Sequence, residues 1–269
     1  MSDPRLSLNL ITVDHWSLPE AVERCAAAGI GTVAPWRHRV AETGLEESAC
    51  RIRDAGLAVS RLCRGGFFTA PGADEDNRRA VEEAAALGAP VLVLVCGPPA
   101  DRDLPAARAA IAAGIERLLP HAADHGVRLG IEPLHPMMIG ERSAIVTLGE
   151  ALALARGFAS PHVGVVVDAY HVFWDPRLEQ ELAGAGALIA GYHVSDWLVP
   201  TTDVLAGRGL MGDGIIDLPR VGGLVEAAGY RGPIEVEVIN PALAGVPGPE
   251  LLAHIAARFA AHVTSSARP

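Results

Sequence analysis

No cluster of basic residues occurs anywhere in this chain, and its formal net charge is −10 with an isoelectric point near 5.4. That acidity would repel a phosphate backbone, so nucleic acid is not an expected partner. Long apolar runs are also missing: no segment approaches the roughly 20 residues that span a bilayer. The N-terminal MSDPRLSLNL has no basic stretch leading into an apolar run with a cleavage site. A soluble, cytoplasmic protein without a membrane partner is the expectation. Cysteine is scarce, and Cys25, Cys50, Cys63 and Cys96 form no C-x-x-C pair. Neither a zinc knuckle nor a disulfide framework is therefore suggested, and reduced, mostly packed thiols are expected. A dinucleotide-binding open sheet would usually offer a G-x-G-x-x-G turn after its first strand. Here the first strand candidate runs into TVDHWS.

What the chain does have is alternation. Short runs rich in Val, Ile and Leu are separated by longer Ala/Leu/Glu/Arg segments, the pattern of repeated βα units on a parallel sheet. The strand candidates are residues 6–13, 32–36, 58–63, 91–96, 128–134, 163–169, 188–195 and 233–238. Between them lie helical stretches such as SLPEAVERCAAAG, with Ser17 as N-cap and Glu20 three residues on. Several end in glycine, at Gly29, Gly56, Gly88, Gly126 and Gly229, which suits a left-handed turn into the next strand. PELLAHIAARFAAHV supplies a helix after the last strand. Eight βα pairs use nearly the whole chain, so residues 1–269 read as a single (β/α)8 TIM barrel. The longest non-repetitive stretch, 196–217, follows a late strand and is expected to form a loop covering a site on the top face.

Four residues carry the chemistry. Glu132 stands in RLGIEPLHP and Asp168 ends VVVD, both in apolar strand candidates, where an unpaired buried carboxylate would cost several kcal/mol. Each needs a cation; an arginine from a neighbouring loop is the plain alternative to a metal. His193 ends LIAGYH, and Glu237 lies in IEVEV. Usable ligands thus fall near the ends of strand candidates five, six, seven and eight, where adjacent strands can converge on one ion. Glu235 and Glu237 are two apart and share a face, so periodicity does not choose between them. Three oxygens and one imidazole suit Mn²⁺, Mg²⁺ or Co²⁺ better than a thiolate-rich zinc site would, with Zn²⁺ also compatible.

A second group lies three residues beyond these ligands: His135, His171 and Asp196. From loops they could hydrogen-bond a polyol or move protons, or simply serve as turn and cap residues. Arg208, in GRGLMGDG, could hold a hydroxyl or a phosphate, or be a solvated loop charge. Trp16, Trp36, Phe67, Phe68, Trp174 and Trp197 all follow strand candidates and could wall a sugar ring or pack a lid.

The succession I-E-P, V-D-A-Y-H, Y-H-V-S-D-W with G-D-G-x-I-D, and I-E-V-E-V resembles the sugar phosphate isomerase/epimerase family, the xylose isomerase-like TIM barrels, over essentially the full chain. The resemblance implies a Mn²⁺-like ion held by Glu132, Asp168, His193 and Glu237, with His171 as the D-x-x-H histidine that contacts substrate. It implies α-proton abstraction by the Glu132/Glu237 pair through a metal-stabilised enediolate, on a small carbohydrate. The members include ketose epimerases, hydroxypyruvate isomerases, inosose dehydratases and endonucleases. The best-known ketose epimerases place an arginine shortly after the metal histidine, whereas here the nearest is Arg208. A similar branch, the catalytic subunits of C-glycoside deglycosidases, would make the chain a lyase with a small β-rich partner subunit. The remaining expectations are a homo-oligomer and, at the other extreme, a sugar-binding barrel without turnover.

Overall fold

A computed structural model describes residues 2–100 and 102–264. The apolar runs form strands β1 (Leu6–Asn9), β2 (Thr32–Ala34), β3 (Ala58–Val59), β4 (Leu62–Gly66), β5 (Val91–Val95), β6 (Arg128–Ile131), β7 (Val163–Asp168) and β8 (Ile189–Val194). A short antiparallel hairpin of β9 (Asp196–Trp197) and β10 (Arg208–Gly209) follows, and β11 (Ile234–Val236) completes the set. Nine of these strands pair in parallel in the order β3-β2-β1-β11-β8-β7-β6-β5-β4. β3 and β4 are two halves of one barrel position, the third strand candidate interrupted at Ser60 and Arg61. A parallel bridge between Trp36 and Cys63 carries the ring across the interruption. The result is the eight-position barrel expected from the repeat.

Strands covered on both faces read as continuous apolar runs, and β5 (VLVLV) and β7 (VGVVVD) are buried at every residue. The helices on the outside are α1 (Leu18–Ala27), α2 (Arg37–Thr43), α3 (Leu45–Asp54), α4 (Ala73–Ala86) and α5 (Leu104–Asp124). The second half adds α6 (Leu148–Gly157), the single turn α7 (Ala169–Val172), α8 (Leu178–Ala183), α9 (Leu218–Ala227) and α10 (Gly248–His262). Their starts follow capping chemistry: the Ser17 hydroxyl accepts from Glu20 N, and Thr147 with Glu150 closes a full capping box on α6. α1 turns Leu18, Ala21, Val22 and Cys25 inward, the i, i+3, i+4, i+7 stripe of a surface helix. All four cysteines are free, and Cys25, Cys63 and Cys96 are buried. No helix among the described residues is long and apolar enough to cross a membrane.

Three strands end earlier than their apolar runs. After Asn9 the chain passes into a 3-10 turn over Leu10–Val13, because the Asn9 side chain accepts from Ile11 N. β6 stops at Ile131 and β11 at Val236, so Glu132 and Glu237 stand just beyond the ladder at the mouth of the barrel.

Candidate metal centre

The four strand-end residues converge. One ligand atom from each of Glu132, Asp168, His193 and Glu237 lies within 4.8 Å of the other three, and all four side chains are buried. Register brings them together: Asp168 pairs with His193 across β7 and β8, and Glu237 N donates to Val194 O at 3.0 Å. Asp168 uses Oδ1 to cap α7, accepting from Tyr170 N at 2.9 Å, which leaves Oδ2 for the centre.

A layer below, the barrel orients the imidazole. His193 Nε2 lies 3.1 Å from Glu235 Oε2, while Nδ1 faces Glu132 Oε1 at 3.1 Å and Glu237 Oε2 at 3.7 Å. This separates the two glutamates that share a face: Glu235 backs the histidine, and Glu237 faces the centre. Glu235 is itself held by the Arg61 guanidinium, by Ser60 Oγ at 2.7 Å and by Asn9 Nδ2 at 3.1 Å. Asn9 Nδ2 also reaches Glu237 Oε1 at 3.2 Å, and Trp36 Nε1 donates to Asn9 Oδ1 at 2.6 Å. A Cβ on Gly191 would collide with the Arg61 Nε, so glycine at that point of β8 makes room for the guanidinium. Asn9, Ser60 and Arg61 were not singled out from the sequence. Their signal is a polar or charged residue inside an apolar strand candidate, LSLN and AVSRLC, the same signal that marked Glu132.

Arg208 comes to the centre from an unexpected distance along the chain. The β9–β10 pairing, Arg208 opposite Trp197, folds segment 196–217 back over the mouth. Arg208 NH1 then contacts Asp168 Oδ2 at 3.1 Å, Glu237 Oε2 at 3.0 Å and Glu237 O at 3.2 Å, with its guanidinium over the Tyr170 ring at 4.5 Å. His171 joins the same group: Nε2 lies 3.5 Å from Asp168 Oδ2 and 3.2 Å from Arg208 NH2, while Nδ1 accepts from His135 N at 3.2 Å. Both ring nitrogens of His171 thus face donors, because a guanidinium N–H can only donate and the His135 backbone N–H donates to Nδ1.

Other residues expected beside substrate are placed differently. Asp196 is fully buried, and its carboxylate accepts from Trp197 N, Ile216 N and Gly212 N, each at 2.9 Å. It ties the loop to itself. Trp16 lies under the Arg24 guanidinium at 4.8 Å and is not among the residues lining the cavity above the four ligands. His135 packs in a tilted arrangement on Trp197 at 4.8 Å and edge-on against Trp174 at 5.7 Å, and Trp174 Nε1 donates to His171 O at 2.8 Å. These rings brace the loop around His171 and are not among the residues lining the cavity.

That cavity, about 150 Å³, opens above the four ligands and is walled by Glu132, Glu237, His171 and Arg208 together with Trp36, Cys63, Leu134, Met138 and Leu205. Arg64 and Arg142, unremarked in the sequence, also face it.

Electrostatics set the centre apart from an ordinary ion-pair network. Burial pushes Glu132 up from the usual carboxylate range, and burial outweighs Arg208 at Asp168, which is raised to about 7. Burial acts on Glu237 as well, but Arg208 and His193 hold it down at about 2. His171 is pushed well below the ordinary histidine value by burial and by Arg208, which keeps it neutral. Glu132 Oε1 and both ring nitrogens of His193 are buried without an aligned hydrogen bond, although Glu132 Oε1 lies 3.1 Å from Nδ1 and Glu235 Oε2 lies 3.1 Å from Nε2. Buried polar atoms left unsatisfied cost on the order of 1–3 kcal/mol each. Three carboxylates, one imidazole and two unpaired ligand atoms fit a divalent cation.

The chain is thus a TIM barrel of eight positions with a buried Glu/Asp/His/Glu cluster, a candidate metal site, at the C-terminal ends of its last four positions. Residues 22–261 match the family described as xylose isomerase-like TIM barrel, and the chain belongs to that family. Protein SMc04130 of Sinorhizobium meliloti 1021 superposes with a TM-score of 0.93 at 45% identity, covering 96% of this chain and 98% of that one. The IolI protein, solved with a bound zinc atom, superposes with a TM-score of 0.86 at 18% identity, covering 98% of this chain and all of that one. D-psicose 3-epimerase in the presence of D-fructose gives a TM-score of 0.76 at 16% identity, covering 95% and 97%. In sequence, the 3-dehydroshikimate dehydratase of Pseudomonas aeruginosa is 27% identical over 246 residues, 86% of this chain. The alignment spans 37% of that longer protein.

Proposed function

We propose that the protein is a divalent-metal-dependent isomerase or epimerase that removes the proton α to the carbonyl of a small hydroxylated substrate. The observation that carries this reading is the pair of carboxylates, Glu132 and Glu237, set just beyond β6 and β11 either side of His193 and lining one cavity. Glu132, Asp168, His193 and Glu237 would hold the ion, with Mn²⁺, Mg²⁺, Co²⁺ and Zn²⁺ all compatible with the donor set. Bound there, a dication supplies Lewis-acid stabilisation of the negative charge that develops on the substrate carbonyl oxygen. The chain contributes the rest. One of the two glutamates takes the α-proton, and the other returns a proton from its own side of the cavity. The Arg208 guanidinium, with His171 beside it, is placed to donate hydrogen bonds to substrate oxygens as charge builds. Leu134, Met138 and Leu205 exclude water from the cavity. All 22 basic residues of the sequence are arginine, so an imine on a lysine is not available as an alternative electron sink.

Return of the proton to the opposite face gives an epimer, and return to the neighbouring carbon an aldose–ketose isomer. A second reading, loss of a β-hydroxyl from the same enolate, is favoured by the dehydratase among the relatives. Incubation in D₂O with Mn²⁺ and a panel of keto-sugars and 3-dehydroshikimate tests both. Deuterium at the α-carbon of recovered substrate or isomer supports the first reading, and a new conjugated chromophore supports the second. Absence of both across the panel would count against enolate chemistry.

A further inference from the structure

Two arginines in the cavity wall have no charge to answer them. Arg64, on β4, and Arg142, between β6 and α6, both face the cavity. Among the described residues neither guanidinium has a salt bridge or a hydrogen bond; Arg64 only stands over the Phe67 ring at 4.2 Å. Other buried or half-buried arginines are paired. Arg37 holds Asp76 and Glu83, Arg61 holds Glu235, Arg208 holds Asp168 and Glu237, and Arg128 reaches the carbonyls of Val163 and Ala187. Arg64 also feels Arg142: burial and that neighbouring charge hold it below the ordinary arginine value. Two like charges half-buried beside each other are unfavourable unless an anion comes between them.

The rest of the site is already balanced. Glu235 is matched by Arg61, and the carboxylates of Glu132, Asp168 and Glu237 match a dication together with Arg208. β4 stands diametrically across the ring from β8, so the uncompensated positive charge faces the His193 side of the cavity.

We infer that the substrate is a carboxylic acid, its carboxylate gripped by Arg64 and Arg142 while its carbonyl end faces Glu132 and Glu237. The inference rests on the proposed function for its second half and on the arginines alone for its first. A carboxylate accepts two parallel N–H bonds from a guanidinium, which a sugar hydroxyl cannot reproduce. Neutral sugars would leave both arginines desolvated and unpaired.

Calorimetric titration of the full chain with matched probes tests this: D-glucuronate against D-glucose and D-glucose 6-phosphate, and shikimate against its methyl ester. The acids are expected to bind at least about tenfold more tightly than their neutral partners, the usual effect of a charge-assisted pair. R64Q and R142Q should each abolish that margin without changing the weak binding of the neutral forms, and R64K should keep part of it. Thermal melts confirm that each variant is folded, and R142Q and R64K carry the test if R64Q is not. Acids that bind no better than their neutral partners, including no binding at all, would overturn the inference. So would preference for the phosphate ester alone, or unchanged acid binding in folded R64Q and R142Q. Elemental analysis of the same samples reads the metal separately: acid binding that depends on the arginines in a protein that takes up no metal would sink the proposed function and leave the carboxylate site standing.

Discussion

Glu235 is where the fold and the candidate metal centre can be pulled apart experimentally. Its carboxylate and the Arg61 guanidinium are 0% and 1% exposed. Burial pushes the carboxyl up, but Arg61 and His193 win and hold it below the usual carboxylate range. A depressed carboxyl stabilises the fold fully above the unfolded value and loses that contribution as pH falls through the folded one. Glu235→Ala at pH 7 removes the answer to a buried guanidinium, a change that costs about 3–5 kcal/mol. At about 2–4 °C per kcal/mol for a domain of this size, the melting temperature should fall by roughly 6–20 °C. Because His193 Nε2 faces Glu235 at 3.1 Å, the imidazole also loses the group that orients it. Loss of such an outer carboxylate weakens metal binding by about 10–100-fold.

A compensated variant separates the two effects. Arg61→Met with Glu235→Leu removes both charges, so stability should return to within about 1–2 kcal/mol of wild type. Metal affinity should stay low, since leucine cannot orient His193. Circular dichroism melts and competition with a metallochromic chelator measure both quantities on one sample. A compensated variant with wild-type metal affinity would refute the orienting role. A Glu235→Ala variant that melts within 2 °C of wild type, against the roughly 6–20 °C worked out above, would refute the burial argument.

Glu132→Gln and Asp168→Asn should each lower bound metal, and full occupancy by elemental analysis in both would show that these residues are not the ligands. Metal uptake should weaken as pH drops through about 7, because the raised Asp168 carboxyl then holds a proton that the cation must displace. A weakly buffered titration near that pH should record proton release on adding Mn²⁺, and none would contradict the shift. Asp196→Ala strips three backbone N–H groups of their acceptor, at about 1–3 kcal/mol for each one left unsatisfied. Segment 197–216 should become the first site of limited proteolysis, and turnover should fall as Arg208 loses the hairpin that positions it.

How much of the site could be read in advance depended on how each residue reaches it. Glu132 and Asp168 were legible because a carboxylate inside an apolar strand is a local contradiction, visible without the fold. His193 took its meaning from its place in the series of strand ends. Glu235 and Glu237 show the limit of periodicity: it put both on one face but could not tell depth. Depth depends on the β8–β11 register, which sets Glu235 beside His193 and leaves Glu237 a layer higher. Arg208 lies 15 residues beyond His193, and only the pairing of β9 with β10 returns it to Asp168 and Glu237. That segment has no period to read. The placement of Trp16 was hidden for a related reason: the run LSLNLITV looks like one strand, yet Asn9 ends it in a 3-10 turn, and Trp16 beyond that turn lies against Arg24.

The layers are ordered by charge, and the order argues for a sequence of binding. At the base Glu235 and Arg61 cancel, above them three carboxylates gather around His193, and at the mouth Arg64 and Arg142 stand unanswered. At a pH above about 7, where Asp168 is ionised, a substrate anion that enters before the cation meets net negative charge a few ångströms beyond the arginines. Like charges at such separations in a partly buried site repel by a few kcal/mol, about 4 kcal/mol at 4 Å for an effective dielectric of 20. With a dication in place the repulsion is removed, so D-glucuronate should bind at least about tenfold more weakly after chelation than in the Mn²⁺-loaded protein. Titrations with and without chelator, with D-glucose as the uncharged control, measure the difference. Equal affinity in the two states would mean that the three carboxylates are already neutralised by Arg208 and bound protons, and that binding has no obligatory order.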